Sequence, residues 1–335
     1  MSASFALDFG TATTRIATDS GELVCDEPTI AAVEADSGRL LAFGRAALGL
    51  GATCGGRVLL VRPVRSGKIL DIDLAEMFLA EALRGAGVSR LSSPKMLVCS
   101  HLSSTGVQRR AIERALKKAG ARGVSFVEQP VACAIGAGLQ ISEPVGSMVL
   151  DLGAGVCDLA VIALGGLVSS ASIEVGGDTF DDAVREYLAR YHRVIVDAGH
   201  AAALRQQFAS IGRPESLGPV RVAGRNADTG RRFEVEVERR ELSQVLERVA
   251  QPIFDAAARC IADAPPDLAN DLLNEGLVLA GGGGRIEGFD QRLARTTGVP
   301  VHVPPDGELL SVLGAAQCLE EGIEPVPVLS APRAR

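Results

Sequence analysis

Ser147-Met-Val-Leu-Asp-Leu-Gly-Ala-Gly-Val-Cys-Asp158 decides how the rest of this chain reads. A hydrophobic run reaches Asp151, a turn carrying Gly153 and Gly155 follows, and a second hydrophobic run, Leu159-Ala-Val-Ile-Ala163, leads away. Apolar runs on both sides of a glycine-bearing turn predict a β-hairpin. The carboxylate of Asp151 then stands where the first strand ends. Glycine has no Cβ, so backbone N–H groups in such a turn can approach an anion closely. One such hairpin is a weak signal, because most Gly-rich hairpins bind nothing.

The chain carries the pattern twice. Near the N-terminus it reads Ser4-Phe-Ala-Leu-Asp-Phe-Gly-Thr-Ala-Thr-Thr14, then Arg15-Ile-Ala17. Ser4, Leu7, Asp8, Gly10 and Ala17 fall in register with Ser147, Leu150, Asp151, Gly153 and Ala160. Two similar hairpins far apart predict two similar lobes. Two Asp-x-Gly turns facing each other can hold a polyphosphate and its metal ion between them.

A length of 335 residues is long for a single core and also predicts two lobes. A hydrophobic fraction of 47% beside 22% charged residues is a globular composition. The net charge of −7, with no basic run, argues against nucleic acid as a partner. Aromatic residues make up only 4% and tryptophan is absent, so stacking platforms for bases are scarce. Seven cysteines, an odd number with no C-x-x-C spacing, read as buried free thiols in a reducing cytosol. No signal peptide and no apolar run of about 18 residues is found, so a cytoplasmic location without a membrane span is expected.

Strands alternating with helices indicate α/β architecture. A strand over 28–33, a short helix over 43–48 and a loop over 49–56 are expected first. A helix over 73–84, capped by Asp73, follows. Lys95–Ser100 and Val124–Val127 read as strands, with a helix from Thr105 to Ala119 between them. Pro130–Gly138 reads as a helix packed too closely for large side chains. After the second hairpin, Asp178 is placed to cap a helix running to Tyr191. A helix over 202–211, a hairpin over 218–237 and a helix over 241–262 complete a mixed region. Leu277-Val-Leu-Ala280 runs into Gly281-Gly-Gly-Gly284, and a strand ending in glycines before a helix suits a nucleotide's base and ribose or its phosphates.

Asp8-Phe-Gly-Thr11, Asp151-Leu-Gly-Ala-Gly155 and Ala280-Gly-Gly-Gly283, in this order, resemble the actin/Hsp70/sugar-kinase ATPase superfamily. Within it the chain is similar to the MreB/Mbl family of bacterial actins. Glu128-Gln-Pro-Val-Ala-Cys-Ala-Ile-Gly-Ala-Gly-Leu139, Val175-Gly-Gly-Asp178 and Gly298-Val-Pro-Val-His302 carry the likeness locally. The resemblance implies an actin-like two-lobed ATPase fold, each lobe built on a mixed sheet flanked by helices. Lobe I would span 1–145, with a C-terminal helix at about 308–322 returning to it. Lobe II would span 146–307 with a small subdomain at about 179–245, and 323–335 would be a disordered tail. ATP and Mg²⁺ are the implied cofactors. By matching position, Gly10, Thr11, Thr13 and Thr14 would face the phosphates. Gly153 and Gly155 would close the second clamp, and Gly281, Gly282 and Gly283 would border the adenosine. Asp8 and Asp151 would hold the metal through water, since a hard cation takes oxygen ligands.

The family's function would be membrane-associated filaments that direct cell shape and cell-wall synthesis. The implied partners are other copies of the chain, an MreB-type paralogue and membrane-bound components of the cell-wall machinery at the inner face of the membrane. The hydrophobic membrane loop of the family matches Ser89–Pro94, where Leu91 is the one large apolar side chain.

Three departures bear on chemistry. Gln129 stands where the family has the glutamate that positions the attacking water, and Glu128 is one place off. Val156 replaces a threonine that orients the terminal phosphate. A Glu-x-x-Lys pair before Ile211-Gly212 matches Arg205 and Phe208. Slow hydrolysis is expected. The alternatives are a non-hydrolysing scaffold that co-assembles with an active paralogue, or a sugar-kinase or Hsp70-type ATPase. The last is disfavoured because neither a peptide-binding domain nor a second-substrate base is found.

Overall fold

A computed structural model of the chain describes residues 4–88, 93–212 and 218–323. Both glycine turns close hairpins. The first joins β1 (Ser4–Phe9) to β2 (Thr13–Thr18), with Asp8 opposite Arg15, and β3 (Leu23–Pro28) extends it. A small sheet follows from β4 (Ala31–Glu34), β5 (Leu40–Phe43) and β6 (Val58–Val61), with α1 (Gly44–Thr53) before its last strand. A short hairpin of β7 (Val64–Arg65) and β8 (Lys68–Ile69) leads to α2 (Ile72–Gly85). Then come β9 (Lys95–Ser100), α3 (Gly106–Ala119), β10 (Gly123–Glu128) and α4 (Gln129–Gly136).

The second hairpin joins β11 (Ser147–Leu152) to β12 (Cys157–Ala163), with Asp151 opposite Asp158, and β13 (Gly166–Ile173) extends it. α5 (Gly177–Tyr191), β14 (Val194–Ile195), α6 (Ala198–Phe208), β15 (Val220–Asn226) and β16 (Arg232–Val237) form a smaller unit around one three-stranded sheet. The chain returns through α7 (Arg239–Ala262), α8 (Pro266–Glu275), β17 (Leu277–Ala280), α9 (Phe289–Thr297), β18 (Val301–His302) and α10 (Leu310–Glu321).

The two main sheets share one plan, β3-β2-β1-β9-β10 and β13-β12-β11-β17-β18. Each is an antiparallel meander followed by two strands parallel to its first strand. The repeat in the sequence is therefore a repeat of lobes.

Strand alternation divides the side chains between two faces. On β1, Leu7 and Phe9 pack with Phe78 and Leu79 of α2 and Leu116 of α3, whereas Ala6 faces Ala132 of α4 and Val312, Ala315 and Ala316 of α10. On β11, Leu150 and Leu152 join Phe180 of α5 and Phe254 of α7, whereas Val149 faces Cys133 and Ala134 of α4 and Leu310 of α10. α4 and α10 thus lie between the sheets and touch both. Their own crossing is backbone to backbone: a Cβ on Gly314 would overlap the Ala132 carbonyl, and one on Gly136 would overlap that of Leu310. This is why the segment after Glu128 carries small residues.

Several boundaries differ from the sequence reading. Asp71 caps α2, its carboxylate accepting from Leu74 N at 2.9 Å, and Asp73 sits in the first turn. α1 runs through the expected loop to Thr53, and a glycine at 51 leaves room for Leu60 against the helix. Gly176 occupies the cap position of α5, while Asp178 lies in its first turn and pairs with Arg62. α6 begins earlier, with Asp197 accepting from His200 N at 2.8 Å, and ends at Phe208. Residues 89–92 of the proposed membrane loop and 324–335 of the proposed tail lie outside the described residues. Among the described residues, no helix is long and apolar enough to cross a membrane. The seven cysteines are free, and all but Cys54 are buried.

Candidate functional site

The repeated turns meet across a cavity of about 370 Å³ between the two sheets. Asp8, Gly10, Thr11 and Thr13 line it from one hairpin, and Asp151, Gly153, Ala154, Gly155 and Val156 from the other. Gly281, Gly282 and Gly283 line it beyond β17, Gln129 from the start of α4, and Glu308 and Ser311 beside α10. Each turn is pinned at its base, Gly10 N to Thr13 O at 3.1 Å and Gly153 N to Val156 O at 3.0 Å. Among the described residues, the amides of Thr11, Ala12, Ala154 and Gly155 have no acceptor within the protein. Unpaired amides in adjacent turns form an anion-binding concavity.

The two turns touch. A Cβ on Gly155 would lie 2.6 Å from Thr11 Oγ1 and 2.7 Å from Ser66 Cα, so only glycine allows this approach. Gly281 has φ +77° and packs on Asp151 and on the Leu152 carbonyl, a conformation and a closeness that a side chain would not allow.

Below the turns lies a buried acidic cluster. Asp8 Oδ2 accepts a hydrogen bond from Ser311 Oγ at 2.7 Å. Asp151 is 4% exposed, with the Gln129 side chain beside it. Burial, together with the charges of Asp158 and Asp8, pushes its pKa up to about 7, against the opposing effects of His101 and Gln129. Asp158 is completely buried, and its Oδ2 meets His101 Nδ1 at 2.8 Å. Burial disfavours the His101 imidazolium, but its hydrogen bond to Asp158 and the charges of Asp158, Asp151 and Asp8 outweigh this and raise its pKa. Among the described residues, no three acidic, His or Cys side chains converge to chelate a metal directly. The two buried carboxylates of Asp8 and Asp151 fit a hard cation, which would neutralise charge that burial leaves under-compensated.

Two expected site residues lie elsewhere. Thr14 is fully buried with its hydroxyl on that of Thr29 at 2.8 Å, because it alternates with Thr13 along β2 and takes the opposite face. Glu128 ends β10 turned away from the cavity, with Oε1 on Arg109 at 2.6 Å and Oε2 buried without a partner. Burial raises the Glu128 pKa, and Arg109 opposes that rise. Of the Glu-x-x-Lys positions, Arg205 lines the cavity, held by Asp181 at 2.6 Å, whereas Phe208 packs on the core beneath Arg239.

The sequence reading missed Arg15, His101, Arg285, Glu308 and Ser311, all lining residues. His101 follows the C-terminal end of the parallel strand β9, a place where ligands collect in α/β sheets, and that signal was available. The segment 62–69 reads from sequence only as a turn and a short extended run, with no role at the site; it folds as the β7–β8 hairpin. It reaches from the first lobe to the second through ion pairs. Arg62 pairs with Asp178 at 2.9 Å, Arg65 with Asp182 at 3.0 Å, and Lys68 with Glu174. Gly67 N donates to Thr11 Oγ1 at 3.1 Å.

Two lobes on matching sheets, with paired Asp-x-Gly turns facing one cleft, define the actin-like fold. The structure superposes on the crystal structure of MreB5 of Spiroplasma citri bound to ADP with a TM-score of 0.88 and 26% identity, covering 96% of this chain and 97% of that one. It superposes on a chain of the MamK double helical filament with a TM-score of 0.80 at 16% identity, over 95% and 98% of the two chains, which speaks to fold alone. The family model described as MreB/Mbl protein matches residues 2–325. The chain belongs to the MreB/Mbl family. It is 33% identical to the cell shape-determining protein MreB of Escherichia coli K12 over 321 residues, 94% of this chain and 92% of that protein. It is 32% identical to the cell shape-determining protein Mbl of Bacillus subtilis 168 over 298 residues, 89% and 90% of the two.

Proposed function

We propose that this protein is a bacterial actin that binds ATP with Mg²⁺ in the cleft and assembles into filaments at the inner face of the cell membrane, where they direct cell shape and cell-wall synthesis. The observation that carries the reading is the meeting of the two Asp-x-Gly turns, with the unpaired amides of Thr11, Ala12, Ala154 and Gly155 around one cavity. MreB5 of Spiroplasma citri, similar over 96% of this chain, has been crystallised with ADP and with AMPPNP, which supports an adenine nucleotide as the ligand. Mg²⁺ would supply charge neutralisation to the phosphates. Asp8 and Asp151 orient its waters, Thr11 and Thr13 face the phosphates, and Gly281–Gly283 leave space for the adenosine.

Hydrolysis is slow on this reading, because Gln129 lacks a carboxylate and Val156 lacks a hydroxyl. The same two residues favour a second reading, a scaffold that does not hydrolyse ATP and co-assembles with an MreB-type paralogue. Calorimetry with ATP and Mg²⁺, combined with phosphate release and pelleting, separates the readings. We expect binding, and more protein in the pellet with ATP than without. A chain that remains monomeric at high concentration with ATP, lipid vesicles and a paralogue would contradict filament formation. Membrane-bound components of the cell-wall machinery are the expected partners.

The segment 62–69 should hold the lobes closed on the nucleotide. Its ion pairs are half-exposed, and each such pair contributes about 0–1 kcal/mol. Replacing Arg62, Arg65 and Lys68 together with Ala should therefore speed nucleotide release by roughly tenfold. High salt should reproduce part of that effect in the wild type. Stopped-flow release of a fluorescent ATP analogue measures both, and an unchanged rate would show that the pairs do not latch the cleft.

A further inference from the structure

We propose that His101, oriented by Asp158, is the proton acceptor for the water that attacks the terminal phosphate, in the role a carboxylate at position 129 would otherwise fill. The inference rests on the reading of the cleft as an ATP site.

The geometry is that of an oriented imidazole. Asp158 engages Nδ1 at 2.8 Å, which leaves Nε2 as the other functional atom of the ring. His101 lines the cavity. A Cβ on Gly67 would lie 2.8 Å from Val156 Cγ2, 2.9 Å from His101 Cδ2 and 3.4 Å from His101 Nε2. The Cδ2–Nε2 edge of the ring therefore sits beside Val156, against the segment whose Gly67 bonds Thr11. Gln129, the residue that matches the family's water-positioning glutamate, can orient a water but cannot take its proton.

A purely structural role fits Asp158 poorly. Its side chain is completely buried, and Oδ1 has no hydrogen-bond partner. A carboxylate this deep with one partner is costly, and such cost is common where a group serves chemistry. Nδ1–H donating to Asp158 fixes the tautomer that leaves the lone pair on Nε2. As the water oxygen bonds to the terminal phosphorus, one water proton moves to Nε2. The bond from phosphorus to the bridging oxygen breaks, and its electron pair leaves with ADP. Asp158 stabilises the imidazolium until the proton passes to solvent, so water and ATP yield ADP, phosphate and one proton.

Long-range ¹H–¹⁵N correlation spectra of the nucleotide-free full chain test the tautomer directly. Only four histidines are present, and His101→Gln assigns the signal. Recorded at a pH above the raised pKa of the ring, where the imidazole is neutral, a proton on Nδ1 and none on Nε2 are expected; a proton on Nε2 with Nδ1 bare overturns the proposal. In single-turnover assays His101→Gln and Asp158→Asn should each slow phosphate release by about 10²-fold, with ATP affinity measured by calorimetry unchanged within about threefold. Adding Gln129→Glu to His101→Gln should recover most of the rate, which a loss of packing would not allow. Wild-type protein that binds ATP and releases no phosphate, or a His101→Gln variant as fast as wild type, overturns this inference alone. No ATP binding by the wild type overturns the cleft reading with it.

Discussion

Replacing Asp151 with Asn is expected to abolish binding of ATP with Mg²⁺ while making the nucleotide-free protein more stable above pH 7. Asp151 is buried among Asp8, Asp158, His101 and Gln129, and its pKa is pushed up to about 7. In the unfolded chain an aspartate titrates near 3.9. Between these values the folded state keeps a proton that the unfolded state has lost. Stability therefore falls as pH rises from about 4 to about 7, and the penalty persists above that. The shift corresponds to on the order of 4 kcal/mol. Asn keeps the shape and removes the charge. The variant should melt several degrees above wild type at pH 8 and show no gain at pH 4. Added ATP and Mg²⁺ should raise the melting temperature of the wild type only. Melting curves at both pH values decide it; a variant that melts below wild type at pH 8 would show that the buried charge is compensated.

The double replacement Gln129→Glu with Val156→Thr should raise single-turnover phosphate release by on the order of 10²–10³-fold. Transfer of a phosphoryl group to water depends on placing the water and stabilising charge on the transferring group. Val156 is buried with its methyls toward Gly67 and offers no donor. Gln129 lies beside Asp151, so a glutamate there adds a base but also a further charge beside the acidic cluster. The two gains need not add. Phosphate release by the wild type as fast as by the double variant would mean that the native residues suffice.

How much of this was legible depends on where each signal lies along the chain. The repeat around Asp8 and Asp151 was legible because a strand, a carboxylate and a glycine turn are local, and a second copy multiplies the evidence. The matching sheet orders follow from that repeat. Gly281–Gly283 were legible for the same reason, as a strand running into glycines. The assignments that changed were decided by a single step of alternation: Thr13 enters the cavity and Thr14 does not, and Gln129 does where Glu128 does not. A sequence pattern names a strand more readily than it names the face on which a given residue sits. Asp8 with Ser311 and Arg15 with the Glu308 carbonyl are 303 and 293 residues apart, and no periodicity reports such pairs.

Those long pairings have a consequence for biosynthesis. Asp8 leaves the ribosome 303 residues ahead of Ser311, which lies on the helix that seats against β1. At roughly 5–20 residues per second, the first sheet waits on the order of 15–60 s for the partner that covers its inner face. Until then Ala6, Ala17 and Leu97 lack Val312, Ala315 and Ala316 above them. A nascent or prematurely terminated chain therefore lacks a finished cleft. Only a chain translated through α10 can complete the part of the cavity lining that Glu308 and Ser311 supply.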